Sequence, residues 1–511
     1  MHSCPQQPDP ADIGRDQMAG EDQVTVTDQV AELSAGLSRV LQGIYGHAVT
    51  TEGLTRLSGG ASRETWAFSA IEADRSSHPL ILRRDPVGAV PGRMALEARA
   101  MEAAGRAGVP VPALIVADDD PGLDGSAFLI MQRIDGETIP RRILRDDAYR
   151  EARAALTAQC ARAAAAIHSI DPRSVEGLDC GDQVAQFRMV LDEMDQPSPT
   201  FELAFRWLEA HRPVPGPRAV VHGDFRIGNF IVGPGGLRSV LDWELVHAGD
   251  PMEDLAWMCV KSWRFGQALP VGGFGTRDEL ISVYEEAGGR RVDRDALAWW
   301  EVLGNLKWGI MCMVQARSHT SGLVRSVELA AIGRRVCEVE WDLLEALGYR
   351  SSPSLGAVVA GQGGVGPADE EPILPRVSEP GDVQALKPVP GLHGGPGLHG
   401  VPSAAALVEA VREFVEGEVM GATDGRVSFH ARVAGRVLAM VEREITLGPG
   451  QIKAHAQRLA GLGVPDDAEL ARSIRSSGLD ERMPEVTDVV GASVRAKLEV
   501  AHPAYLDQPG G

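Results

Sequence analysis

The sequence contains no Cys-x-x-Cys pair, no apolar run approaching the roughly 20 residues needed to span a bilayer, and too few basic residues to balance its acids. Six cysteines occur, Cys4, Cys160, Cys180, Cys259, Cys312 and Cys337. Four of them lie in apolar, helix-like surroundings where a thiol behaves as a small hydrophobe, so they read as reduced and structural. Lysine and arginine number 50 against 71 aspartates and glutamates, a formal net charge of -21. An average field of that sign disfavours sequence-independent binding to nucleic acid or to an anionic membrane, while leaving room for a local basic pocket for phosphates. The first twenty-odd residues are polar and acidic, with neither a basic start nor an apolar stretch, and so do not read as a secretory signal. These absences together predict a cytoplasmic protein with a disordered segment over residues 1–25.

What is present is enough chain for more than one core: 511 residues, 44% of them hydrophobic, exceed the roughly 250–300 residues at which single cores stop growing. Residues 351–400 are dominated by Gly and Pro and show no sustained apolar period, which reads as a linker. It divides a region over 26–350 from one over 401–505. In the first region, TEGLTRLSGGASRETWAFSAIEA and HPLILRRDP read as short strands joined by turns, GRMALEARAMEAAGRAG has a helical period, and SAFLIMQRIDG is a further strand. Beyond Pro140 the pattern is helical, interrupted by a turn-rich segment from Val220 to Pro251. The last region shows one helical stripe through Leu407, Val408, Val411, Phe414, Val415 and Val419, started by Pro402 and Ser403. A second runs Phe429, Val433, Val437, Met440, Val441, Ile445. Helices with one apolar face must pack on each other or on a partner.

The chemistry concentrates in VVHGDFRIGNFIV followed by SVLDWELVHAGDP, which set His222, Asp224, Asn229 and Asp242 in order on two short apolar strands. Phosphoryl transfer from ATP needs a carboxylate to orient the attacking hydroxyl and accept its proton, and hard oxygens to hold Mg²⁺ on the phosphates. Asp224 suits the first task, Asn229 and Asp242 the second. Asp and Asn are also common turn residues, but the spacing His-x-Asp-x4-Asn followed by a strand-end Asp is that of a kinase catalytic loop. His222 joins Asp224 in the catalytic set, with the heavier weight on holding the loop's shape. Asp250 and Asp254 read as structural, bonding the loop or capping the next helix.

The combination HGDxxxGN, DWE and DPxxDLAW closely resembles the aminoglycoside phosphotransferase and choline kinase superfamily. The resemblance implies an α+β, bilobal protein-kinase-like fold, with a small antiparallel-sheet lobe and a larger helical lobe, followed by a separate all-α domain. It also implies ATP and Mg²⁺ as cofactors. On that resemblance, Gly59, Gly60 and Ser62 form the turn over the ATP phosphates, and Arg83 stands where the family commonly has Lys, gripping phosphate oxygens bidentately instead of as a point charge. Arg84 is an alternative for that role. Glu97 falls where the family's ion-pair carboxylate would be, although a Glu on an Ala-rich helix is by default solvated. Met131, Gln132 and Arg133 would form the hinge whose backbone meets adenine, alongside core packing by Leu129 and Met131.

The phrases LRRDP, GVPVP, AAIHSID, GNLKWGI and AAIGRRVCEVEWDLL look like the branch of the superfamily associated with acyl-CoA dehydrogenases. That branch implies a small-molecule acceptor, a hydroxyacyl-CoA thioester, in carboxylic acid catabolism, and an acyl-CoA dehydrogenase or other catabolic enzyme as partner. Aminoglycoside or amino-alcohol kinase activity and a silent nucleotide-binding scaffold are the rival readings. The C-terminal region resembles a small helical domain of unknown function often encoded beside such kinases. Its Arg432, Arg436, Arg443 and Lys497 either meet a CoA phosphate or lie on solvated helix faces, and the domain is tethered flexibly unless it docks.

Overall fold

The computed structural model describes residues 26–57, 63–85, 93–123, 125–349 and 403–507. The expected phosphate turn at Gly59, Gly60 and Ser62, the 1–25 segment and the 351–400 linker lie outside them. The chain divides into two compact units, one formed by residues up to Cys180 with Val214–Leu297, the other by Gly181–Pro213 with Ala298 onward.

The first unit begins with α1 (Val26–Tyr45), then β1 (Val49–Arg56), β2 (Glu64–Glu72), β3 (Ser77–Arg84), α2 (Met94–Arg106), β4 (Leu114–Leu123) and β5 (Ser126–Gln132). The five strands form one antiparallel sheet in the order β1-β2-β3-β5-β4. Leu33, Leu37 and Leu41 of α1, spaced one helical turn apart, pack with Val49, Phe68, Leu80, Leu82 and Ile130 of the sheet. Strand β4 was not legible: its ADDDPG tract is poor in strand formers, and pairing with β5 overrides that preference.

After α3 (Pro140–Arg145) and α4 (Arg150–His168), the turn-rich segment forms two short antiparallel pairs. These are β6 (Ala219–Val221) with β9 (His247–Gly249), and β7 (Phe230–Gly233) with β8 (Gly236–Val240). Here α7 (Met252–Cys259) and α8 (Arg277–Glu286) follow. The sheet lobe and the helical remainder are the expected α+β arrangement.

The second unit is helical: α5 (Gln183–Met194), α6 (Pro199–Ala210), the continuation of α9 (Arg294–Thr320), α10 (Val327–Gly333), α11 (Val336–Ala346), α12 (Ala404–Phe414), α13 (Met420–Ala422), α14 (Gly425–Leu462), α15 (Asp467–Arg475) and α16 (Met483–Ala501). Ser403 caps α12 by accepting from the Ala406 amide at 3.3 Å. Helix α14 runs past Ile445 and through Pro449, well beyond the stripe seen in the sequence. The expected stripes are only partly covered, since Leu407, Val411, Phe414 and Phe429 stay about half exposed.

The C-terminal helices share a core with the helices before the linker. Leu203, Cys337 and Leu344 are buried with Leu459, Leu470, Ile474, Val486, Val490, Val494 and Leu498. Polar contacts ring that core: Arg206 chelates Asp480 at 2.6 and 3.0 Å, Arg475 chelates Asp192 at 2.7 and 3.0 Å, and the Tyr505 hydroxyl donates to Asp342 at 2.7 Å. Bidentate arginine pairs add directional fit to the apolar burial, so the domain is docked, not merely tethered. Two basic residues considered for a CoA phosphate have other work: Lys497 donates to both oxygens of Glu340 at 3.2 and 3.0 Å, and Arg443 donates to the Val500 carbonyl at the end of α16. Cys160, Cys259, Cys312 and Cys337 are buried and free; burial pushes the Cys312 and Cys337 thiols up to about 12, which keeps them protonated. Among the described residues no helix is long and apolar enough to cross a membrane.

Candidate active site

The loop between β6 and β7 is held from below by one buried carboxylate. Asp254, fully buried near the start of α7, accepts from the His222 amide at 2.8 Å, the Gly223 amide at 2.9 Å and His168 Nε2 at 3.0 Å. Burial alone would raise its pKa, but the His168 hydrogen bond and charge, with the donors from the loop, hold it below the ordinary carboxylate value. His168 is braced in turn by the Tyr284 hydroxyl at 2.9 Å. Gly223 adopts φ +81°, and a Cβ there would stand 2.5 Å from the Leu245 carbonyl oxygen, so only glycine fits between His222 and Asp224.

His222 is fully buried with both ring nitrogens engaged: Nδ1 receives the Asp224 amide at 3.2 Å and Nε2 meets the Leu241 carbonyl at 3.0 Å. That network assigns the proton to Nε2. Burial holds the imidazole below its ordinary pKa. A neutral ring committed on both sides fixes the loop and has no nitrogen to offer a substrate.

The Asp224 carboxylate is oriented by three donors. Its Oδ1 accepts from Arg226 Nε at 2.8 Å and Trp257 Nε1 at 2.7 Å; its Oδ2 accepts from Asn229 Nδ2 at 2.6 Å. Arg226 in turn lies over the Trp263 ring, 4.4 Å from its centroid. Arg226 and Trp257 were missed as site residues although both stand inside quoted motifs, HGDFRIGN and DLAW.

Strand pairing sets the second pair of oxygens. Asn229 precedes β7 and Asp242 follows β8, and the Leu241 amide donates to the Asn229 carbonyl at 2.8 Å, so the antiparallel ladder delivers both residues to one end. Asn229 spends its amide nitrogen on Asp224, which leaves its amide oxygen as the atom that could ligate a metal. Asp242 sits at φ +68°, a left-handed conformation that is strained for a non-glycine residue. An amide oxygen beside a half-exposed carboxylate is a donor set that fits Mg²⁺, which takes oxygen ligands and keeps several waters.

The sheet supplies the cations. Alternation along β3 sends neighbouring arginines to different partners: Arg83 reaches Asp242 at 2.6 Å and Glu97 at 3.3 Å, whereas Arg84 pairs with Glu64 at 2.9 Å. Glu97 is buried, not solvated, and binds Arg63 Nη1 as well. Arg63 also meets Asp85 at 3.1 Å and Glu244 at 3.7 Å. Burial pushes the Glu97 carboxyl above its ordinary range against the pull of Arg83 and Arg63. Arg83 is held above its ordinary value because Asp242, Glu97 and Glu244 outweigh its own desolvation. Arg63 carried no sequence signal, and Asp85 and Glu244 stand inside the quoted LRRDP and DWE without being singled out, since their pairing depends on contacts distant in sequence.

At the expected hinge, the Gln132 amide donates to the Ala113 carbonyl at 2.8 Å and the Arg133 amide to the Pro79 carbonyl at 2.9 Å. Met131 is buried in β5. The Gln132 and Arg133 N–H groups are therefore spent within the sheet, and a purine would have to find its donor elsewhere.

A sheet-borne ion pair beside an Asp, Asn and Asp set is the arrangement that kinase-like phosphoryl transfer uses. Residues 53–300 match the model of the phosphotransferase enzyme family, and residues 421–505 match a domain of unknown function, DUF6285. The chain is 32% identical over 262 residues to the mouse protein named acyl-CoA dehydrogenase family member 10, covering 47% of this chain and 23% of that protein. It is 30% identical over 279 residues to chicken acyl-CoA dehydrogenase family member 11, covering 48% of this chain and 34% of that protein. The chain thus spans well under half the length of these relatives. Among solved structures, macrolide 2'-phosphotransferase from Brachybacterium faecium aligns with a TM-score of 0.43 at 17% identity, over 57% of this chain and 97% of its own.

Proposed function

We propose that this chain transfers the γ-phosphoryl group of ATP to the hydroxyl of a small molecule. The observation that carries the reading is the oriented carboxylate of Asp224 hydrogen-bonded to Asn229, with Asp242 delivered to the same end of the β7–β8 ladder. Asp224 Oδ2 accepts the acceptor's hydroxyl proton as the oxygen attacks, while Arg226, Trp257 and Asn229 keep the carboxylate aimed. Asn229 and Asp242 would hold Mg²⁺, which neutralises charge on the phosphate oxygens when bound. Arg83, kept in place by Glu97, lies beside Asp242 and is the cation that would meet the phosphates. His222 and Asp254 preserve the loop's shape.

For the acceptor we propose a hydroxyacyl-CoA, with an acyl-CoA dehydrogenase or related catabolic enzyme as partner and the cytoplasm as location. Two relatives carry acyl-CoA dehydrogenase names. Arg226, 2.8 Å from Asp224, places a cation where the acceptor hydroxyl must arrive, which favours an anionic acceptor over a cationic amino-sugar. The test is ADP release from the purified chain with ATP and magnesium, comparing hydroxyacyl-CoA esters, free hydroxy acids and aminoglycosides. Thioester-dependent release supports the proposal; release with amino-sugars alone overturns the acceptor, and nucleotide binding without release on any acceptor favours the silent scaffold.

A further inference from the structure

A cleft of about 430 Å³ opens in the second unit between α11, α14 and α16, a volume in the range of small-molecule sites. On α14, Glu444, Gly448, Gln451, His455 and Arg458 recur at three- and four-residue spacing and so face it together. Apolar wall is supplied by Val336, Ile452, Ala496 and Val500.

The polar side chains lining the cleft are hydrogen-bonded or ion-paired, with one exception in Arg458. Arg334 pairs with Glu444 at 2.7 Å, Lys497 with Glu340 at 3.0 Å, and His455 with Asp467 at 3.2 Å, its other ring nitrogen meeting the Ser493 hydroxyl at 2.9 Å. Arg458 is left over: its Nε and Nη2 are buried and have no hydrogen-bond partner among the described residues. Those two atoms form one edge of the guanidinium, with N–H bonds parallel, the edge that chelates a carboxylate or phosphate by two hydrogen bonds. Buried donors without partners are unfavourable, and an oxyanion in the cleft relieves both at once.

We propose that this cleft binds an amphipathic oxyanion, a carboxylate or phosphate head on an apolar body, with the head chelated by Arg458 and the body laid against Val336, Ile452, Ala496 and Val500. The inference is independent of the phosphotransferase reading, because no residue of the cleft belongs to the Asp224 loop and the readout is binding.

The test is calorimetric titration of the full chain with octanoate, octyl phosphate, octanol and inorganic phosphate. One or both amphipathic anions should bind saturably at one per chain, at least about tenfold more tightly than octanol or inorganic phosphate. Which of the two binds identifies the head. Arg458→Gln should weaken that binding tenfold or more; Ala496→Leu, which fills the cleft without changing charge, should do likewise, and the exposed Arg432→Gln should leave it unchanged. Absence of saturable binding by both anions overturns the proposal. So does affinity retained in both Arg458→Gln and Ala496→Leu, or inorganic phosphate binding as tightly as octyl phosphate.

Discussion

Replacing Asp254 by Asn should damage both stability and activity although the residue touches no reacting group. The carboxylate accepts the His222 and Gly223 amides and His168 Nε2 in a fully buried position. An asparagine that keeps its oxygen toward His222 and His168 turns its NH₂ to the Gly223 amide, donor against donor. Hydrogen bonds to a charged acceptor contribute about 1.5–3 kcal/mol each, and an orphaned buried donor costs about 1–3 kcal/mol. Losing one such bond and weakening the two that lose their charge gives a destabilisation of roughly 3 kcal/mol, consistent with breaking a buried ionic contact. Urea denaturation followed by far-UV circular dichroism measures the change, and turnover should fall with it because Gly223 precedes Asp224. A variant within about 0.5 kcal/mol of the parent, the scatter of ordinary surface substitutions, would refute the assignment of Asp254 as the loop's anchor.

Three further expectations follow from the same contacts. Gly223→Ala forces a Cβ to within 2.5 Å of the Leu245 carbonyl at a positive φ, so turnover should collapse; full activity would show that the loop relaxes. Leu498→Ala, in the core shared by the C-terminal helices, should cost about 2–5 kcal/mol, read as a lowered melting temperature; an unchanged one contradicts the docked arrangement. Burial keeps folded His222 below the ordinary imidazole value of 6.5, so its stabilising contribution is complete above that pH and is lost as pH falls below it. His222→Gln should therefore flatten the decline of stability below pH 6.5, and an identical slope in both proteins would contradict the assignment.

The candidate site was legible where its chemistry is local. His222, Asp224, Asn229 and Asp242 lie within one short stretch, and their order alone prompts the phosphoryl-transfer proposal. The resemblance also placed Arg83 and Glu97, and strand alternation separates Arg83 from Arg84 only once the pairing of β3 is known. Arg63, Asp85 and Glu244 stayed hidden because buried ion pairs leave no periodic trace. The helical stripes of the last region announced helices without saying what covers them: the answer lay in Leu203, Cys337 and Leu344, on the far side of the linker, and in a helix that runs through Pro449.

The most direct test of the phosphoryl-transfer account measures Mg²⁺-dependent ATP binding and acceptor phosphorylation side by side for the parent and Asp224→Asn. General-base contributions are typically about 10²–10⁴-fold. The account predicts a loss of transfer of that size with nucleotide affinity nearly unchanged. Transfer at the parent rate would contradict it.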